Sequence, residues 1–162
     1  MFRTLLIALL IATSAHAGSL FTATHGGIWR GVGIQTDGSD WGMEVTLGPT
    51  LGVVRYPSLR CGGRWRYGNE TASSLSGVEA IDYGLENCIE AGQIYLQPYQ
   101  NDQMIFMWCD EEDGVSALAV LTRGSAPITT NDAQRAASQA ALDGLGYALD
   151  TITCHGKQWL GV

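Results

Sequence analysis

Between Gly27 and Arg123 the chain is a succession of short runs in which apolar residues alternate with polar or small ones, each run closed by a turn signal. In Ser39 to Leu47, for example, Trp41, Met43, Val45 and Leu47 alternate with Gly42, Glu44 and Thr46. A period of two places one set on a single face of an extended strand, the pattern of a half-buried β-strand. Comparable runs are Ile28 to Thr36, Leu51 to Tyr56, Arg64 to Tyr67, Val78 to Tyr83, Gln93 to Gln97, Gln103 to Cys109 and Val115 to Thr122. Between them lie Asp37-Gly38, Gly48-Pro49, Gly68-Asn69, Ala91-Gly92, Asn101-Asp102 and the stretch Asp110 to Gly114. These intervals are too short for a helical crossover, so consecutive strands must pair antiparallel. About eight such strands form a barrel or a sandwich, and an antiparallel up-and-down β-barrel is the expected fold.

After Arg123 the character changes. Ala126-Pro127 breaks the last strand, Asn131 or Asp132 is placed to cap a helix, and the alanine-rich Ala133 to Leu145 is expected to be that helix. Gly144 and Gly146 end it. At the other end, Met1-Phe2-Arg3, an apolar run from Leu5 to Ala12 and Ala15-His16-Ala17 have the order of an export signal with a small-x-small cleavage site. The apolar run is shorter than the roughly 20 residues that span a bilayer. Residues 1–17 are therefore expected to be a signal peptide, and 18–162 a single barrel domain whose final segment, 124–162, carries the helix and a disulfide-tethered tail. Gly18 follows the cleavage site where a lipid anchor would need cysteine, so no membrane anchor is expected.

The chain carries a formal charge of −7, and loss of Arg3 with the signal makes it more acidic still. An acidic surface repels phosphate backbones and anionic lipids, which argues against nucleic acid as a partner. Cys61, Cys88, Cys109 and Cys154 all follow the signal, with no Cys-x-x-Cys pair among them. In an oxidising compartment four cysteines form a disulfide framework, and spacing leaves three pairings open. A periodic run of this composition with such cysteines points to a periplasmic or secreted protein, expected to act as a monomer.

Two groups of residues resemble known families. Gly27-Ile28-Trp29 on the first strand, with Arg123 ending the last, resembles the pattern of calycins, the lipocalins and their relatives. That likeness implies a calycin-like barrel in which Trp29 packs across the closed end beneath Arg123. A longer pattern comprises Trp29-x-Gly31-x-Gly33-x-Gln35, Tyr56-Pro57-Ser58-Leu59-x-Cys61-Gly62-Gly63, Glu79, Gly84, Cys88, Trp108 and Leu121-Thr122-Arg123. It resembles a small secreted bacterial β domain of unassigned function, which also occurs appended to membrane proteins such as bacterial Ser/Thr kinases. This resemblance implies a Cys61–Cys88 bridge, leaving Cys109 and Cys154 as the other pair. The helix and tail after Arg123 depart from that domain. Within them Ala141-Leu142-x-x-Leu145-Gly146-Tyr147 is similar to a fragment of a peptidoglycan-binding repeat, without the turn and helix that complete one.

Residues able to carry chemistry are few. His25 and His155 lie in terminal segments, where neither is held beside a nucleophile or within a ligand set. Lys157 is the one lysine, and no Ser-x-x-Lys, Gly-x-Ser-x-Gly or phosphate-binding loop is present. Asp110-Glu111-Glu112-Asp113 lacks the alternating ligands of an EF-hand and reads as a solvated hairpin tip. Glu79, Asp82 and Glu86 are the carboxylates from which a glycosidase-like pair would be drawn. Glu79 alternates with Val78 and Ala80 in a strand and is expected inside the barrel, where a carboxylate requires a partner. Arg123, Arg55 and Arg64 are the candidates, and Arg123 is the expected one. Gly31 and Gly33 are expected to leave room for Trp29 and Trp41.

The function expected from these features is a non-enzymatic exported module that binds a small ligand or a protein at the barrel mouth, without a cofactor or metal. An inhibitor or envelope-associated partner protein is the alternative, and a small carboxylate-dependent hydrolase a third. Cys61, Cys88, Cys109, Cys154, Trp29, Arg123 and Glu79 are expected to hold the structure.

Overall fold

The computed structural model describes residues 20–35, 38–110, 116–124 and 132–145. The expected signal peptide, residues 111–115 with most of the acidic run, His155, Cys154 and the tail lie outside the described residues. Eight strands follow one another in the order β1 (Gly27–Gln35), β2 (Asp40–Leu47), β3 (Leu51–Tyr56), β4 (Cys61–Glu70), β5 (Leu75–Tyr83), β6 (Ala91–Pro98), β7 (Gln103–Cys109) and β8 (Ser116–Arg123). Each pairs antiparallel with the next, and β1 pairs with β8, so the sheet closes into an up-and-down barrel. A short helix α1 (Leu20–His25) precedes the barrel and α2 (Asp132–Leu145) follows it.

The alternation seen in the sequence governs the interior. Met43, Val45, Val54, Trp65, Leu96 and Phe106 project inward and are essentially fully buried. Trp65 and Phe106 stack with ring centroids 5.2 Å apart and planes 2° from parallel. The neighbours β1, β8 and β7 depart from alternation because their outer faces are covered too: Val32, Ile34, Ile105, Met107, Leu118 and Val120 are also buried. A strand buried on both faces reads as a continuous apolar run. Helix α2 packs over β1 and β8, and its Ser138 reaches the seam between them. The hydroxyl donates to the Val32 carbonyl at 2.8 Å and accepts from the Val120 amide at 3.1 Å. Val32 and Val120 are register partners, so one serine bridges the two ends of the sheet.

One end of the barrel is shut. Helix α1 lies there with Phe21 fully buried, and the Trp29 indole donates to the His25 carbonyl at 2.8 Å. The Arg123 guanidinium stands 4.5 Å above the Trp29 ring. It also donates to the carbonyls of Gly26 and Thr24, which satisfies acceptors that the C-terminus of a helix leaves over. This is the contact that the calycin resemblance implies. At the opposite end run the turn 57–60 and the long loop 84–90, linked by the Cys61–Cys88 disulfide with Cα atoms 6.4 Å apart. Gly84 sits between them at φ 73°, and a Cβ there would lie 2.4 Å from the Arg60 carbonyl oxygen. Only glycine allows both that backbone conformation and that approach.

Several sequence expectations need correction. Gly68-Asn69 is not a turn, because β4 runs on to Glu70 through a register shift between Tyr67 and Asn69, and the turn falls at 71–74. Ala91-Gly92 opens β6, where Gly92 makes room for the Trp108 ring. Gly33 does accommodate Trp41, but at Gly31 a Cβ would meet the Val120 carbonyl oxygen at 2.3 Å, not Trp29. Helix α1 was not anticipated.

Candidate functional site

A cavity of about 180 Å³ opens at the end carrying the disulfide, lined by Gln35, Trp41, Tyr56, Leu59, Glu79, Ile81, Asn87, Cys88, Ile89 and Trp108. Five strands contribute inward side chains to it: Gln35 from β1, Trp41 from β2, Tyr56 from β3, Glu79 and Ile81 from β5 and Trp108 from β7. Loop 84–90, held by the disulfide, brings Asn87, Cys88 and Ile89 across the mouth. Trp41 and Tyr56 meet edge to face, centroids 5.1 Å apart, and the Trp41 indole donates to Gln35 Oε1 at 3.1 Å. The glycines opposite the tryptophans are required by this wall. A Cβ at Gly33 would fall 2.3 Å from Trp41, and one at Gly92 2.3 Å from Trp108.

Glu79 lies within this wall, 3% exposed. The Tyr56 hydroxyl donates to its Oε1 at 2.6 Å and the Trp65 indole at 2.8 Å. Trp65 is its register partner on β4, which is why the two side chains share the interior. The Trp108 indole N–H lies near enough to favour the charged carboxyl but falls outside hydrogen-bond geometry and has no partner among the described residues. Burial pushes the Glu79 pKa up, against the pull of the Tyr56, Trp65 and Trp108 donors. Burial also pushes the Tyr56 hydroxyl well above its ordinary range, and the adjacent Glu79 adds to the shift.

Glu79 is thus inside the barrel as its alternation requires, but its expected partner is wrong. Arg123 belongs to the closed end, over Trp29, because the β1–β8 register sets Trp29 opposite Arg123. Arg64 is equally unavailable: it faces outward and pairs with Asp82 through two bonds of 2.8 and 2.7 Å. Neutral donors replace the cation. Nor do the three carboxylates converge, since Glu79 points inward, Asp82 outward and Glu86 stands exposed in the β5–β6 loop. The Cys61–Cys88 bridge is present. Cys109, buried at the end of β7, is not a free thiol, and Cys154 lies outside the described residues. The sequence reading missed Tyr56, Trp65 and Trp108 as the surroundings of Glu79. The signal was there in the inward parity of Trp65 and Glu79, but only cross-strand register shows that they touch.

Among the described residues no group of three or more His, Cys, Asp or Glu side chains could hold a metal ion, and no helix is long and apolar enough to cross a membrane. Fold and site together define a closed eight-stranded β-barrel with one end capped and an aromatic, carboxylate-bearing cavity at the other. No family model and no curated protein matches the chain. Among solved structures it is similar to a redesigned β-barrel, at 16% identity and a TM-score of 0.52, over 65% of this chain and 96% of that one. At that identity the likeness concerns the fold alone.

Proposed function

We propose that this protein is an exported, non-enzymatic module that binds a small molecule in the mouth of its barrel. The observation that carries this reading is a cavity floored by a buried carboxyl and walled by Trp41, Tyr56 and Trp108. Barrel interiors that serve only stability are filled by side chains, whereas here buried side chains occupy the capped half and a cavity opens at the other end. A cavity of about 180 Å³ is a little larger than the ~150 Å³ site that admits benzene. Apolar walls with a few placed polar groups are the composition of small-molecule sites. The disulfide is compatible with an extracellular location, in keeping with an export signal.

Native mass spectrometry of the protein from its source tests the reading. A discrete extra mass that leaves on denaturation is expected. A bare mass, together with Trp41 and Trp108 indole resonances that no small molecule shifts, would refute it. A second reading, a partner or inhibitor protein working through its rim, is favoured by Tyr83, Leu85 and Ile89, which are exposed on and beside loop 84–90.

A further inference from the structure

Glu79 is buried with donors around it and, among the described residues, no cation beside it. Tyr56 O–H and Trp65 N–H bond to Oε1, and the Trp108 N–H lies beside the group. A tryptophan N–H can only donate, so these surroundings suit a carboxylate, whose burial without a counter-charge is expensive. Among the described residues no lysine, arginine or histidine lines the cavity, and Arg64 and Arg123 are engaged elsewhere. The remaining walls are the rings of Trp41, Tyr56 and Trp108, and aromatic faces attract organic ammonium ions. Beyond Glu79 itself acceptors are few: Gln35 Oε1 already accepts from Ser39 Oγ and Trp41 Nε1, which leaves the Asn87 amide at the mouth. An ammonium with three N–H groups would therefore be only partly satisfied, whereas a methylated one needs charge and π-faces only.

We propose, resting on the small-molecule reading above, that the cavity takes a small free methylated ammonium ion, with Glu79 as its counter-charge and Trp41, Tyr56 and Trp108 as its aromatic walls. The acidic chain, at −7, raises the local concentration of cations. The disulfide-held loop 84–90 narrows the mouth and selects a free ion over a headgroup still in its membrane. Of the groups facing Glu79, Tyr56 from β3 stays neutral, Trp65 from β4 and Trp108 from β7 do not titrate, β6 presents Gly92, and Cys88 is bonded. Binding thus depends on the ionisation of Glu79 alone, and tightens as pH rises through its range.

The test titrates choline and its uncharged carbon isostere, dimethylbutanol, into the protein while the Trp41 and Trp108 indole resonances are followed. Choline is expected to bind about tenfold more tightly than the isostere, with the advantage shrinking at low pH. Glu79→Gln is expected to abolish the roughly tenfold advantage of choline over the isostere, read as the ratio of the two affinities in the same variant. The wild-type comparison and its pH dependence need no variant, so they decide the matter even if Glu79→Gln does not fold. Isostere binding equal to or tighter than choline would overturn the cation while sparing the small-molecule reading. Silence of both indoles toward both probes would overturn the methylammonium proposal, while the small-molecule reading would stand or fall on the mass spectrum. Binding to phosphatidylcholine vesicles as tight as to choline would overturn the free ion.

Discussion

Replacing Glu79 by glutamine asks whether burial governs this carboxyl. Its folded-state pKa lies above the ordinary value of 4.5 because burial penalises the charge. Across the window from 4.5 up to the folded value, the native state keeps a proton that the unfolded chain has released. The native state then binds more protons, so wild-type stability falls as pH rises, by at most about 1.4 kcal/mol per pH unit for one group. Glutamine does not titrate, so the stability of Glu79→Gln relative to wild type must rise by the same amount over that window. Below it, the variant keeps an oxygen for Tyr56 and Trp65 but turns an amide N–H toward the Trp108 N–H. Facing two buried donors costs about 1–3 kcal/mol, so the variant starts out less stable and recovers with pH. Urea unfolding followed by tryptophan fluorescence at several pH values measures the difference, in which every other carboxylate cancels. Asp82→Asn is the control: the Arg64 hydrogen bond lowers the Asp82 pKa, so its contribution is present above the unfolded value and fades as pH falls, the opposite sign. A Glu79→Gln difference that is flat or declines with pH would refute the account of Glu79.

Ser138→Ala removes the bonds from the Val120 amide and to the Val32 carbonyl beneath α2, and is expected to cost about 1 kcal/mol, with hydrogen exchange at Val120 accelerated first. Arg123→Ala removes the guanidinium from Trp29 and its bonds to Gly26 and Thr24; a loss of about 1 kcal/mol is expected in chemical unfolding, and Arg123→Lys should recover part of it. Gly92→Ala drives a Cβ into the Trp108 ring and should cost about 1–3 kcal/mol, with a shift in tryptophan emission. His25 has its pKa lowered by burial and then by Arg123, so the stability that neutral His25 contributes is present above the ordinary value of 6.5 and is lost as pH falls through the folded value. NMR signals of Phe21, whose ring centroid is 4.7 Å from that of His25, should report this loosening, and His25→Gln should abolish it.

The barrel was legible wherever one face of a strand met water. Trp41 to Leu47 alternates cleanly, and β2 lies where that pattern puts it. Glycine misled the reading at Gly68 and Gly92, where it marks space for a bulge and for a tryptophan instead of a turn. Helix α1 was not legible because six residues, LFTATH, carry little helical signal. It is held by distant contacts, among them the bond from the Thr22 amide to Glu70, 48 residues on. Glu79 shows the same division. Its inward direction follows from parity, a local property, whereas the identity of its partners depends on the register between strands, and Arg123 turned out to serve the other end of the barrel.

The β1–β8 seam also sets how the chain must fold. Trp29 pairs with Arg123, so the closing contact joins residues at opposite ends of the barrel sequence and comes at the greatest loop-closure cost. Until it forms, eight strands joined by seven connections present two bare edges, β1 and β8, each able to recruit a strand from another copy. The serine on α2 bonds to both edge strands at once, so the helix can dock fully only on a sheet that has already closed on itself. Ring closure is therefore expected as the late, slow event of folding, and exchange of β8 with α2 between two chains as its characteristic error.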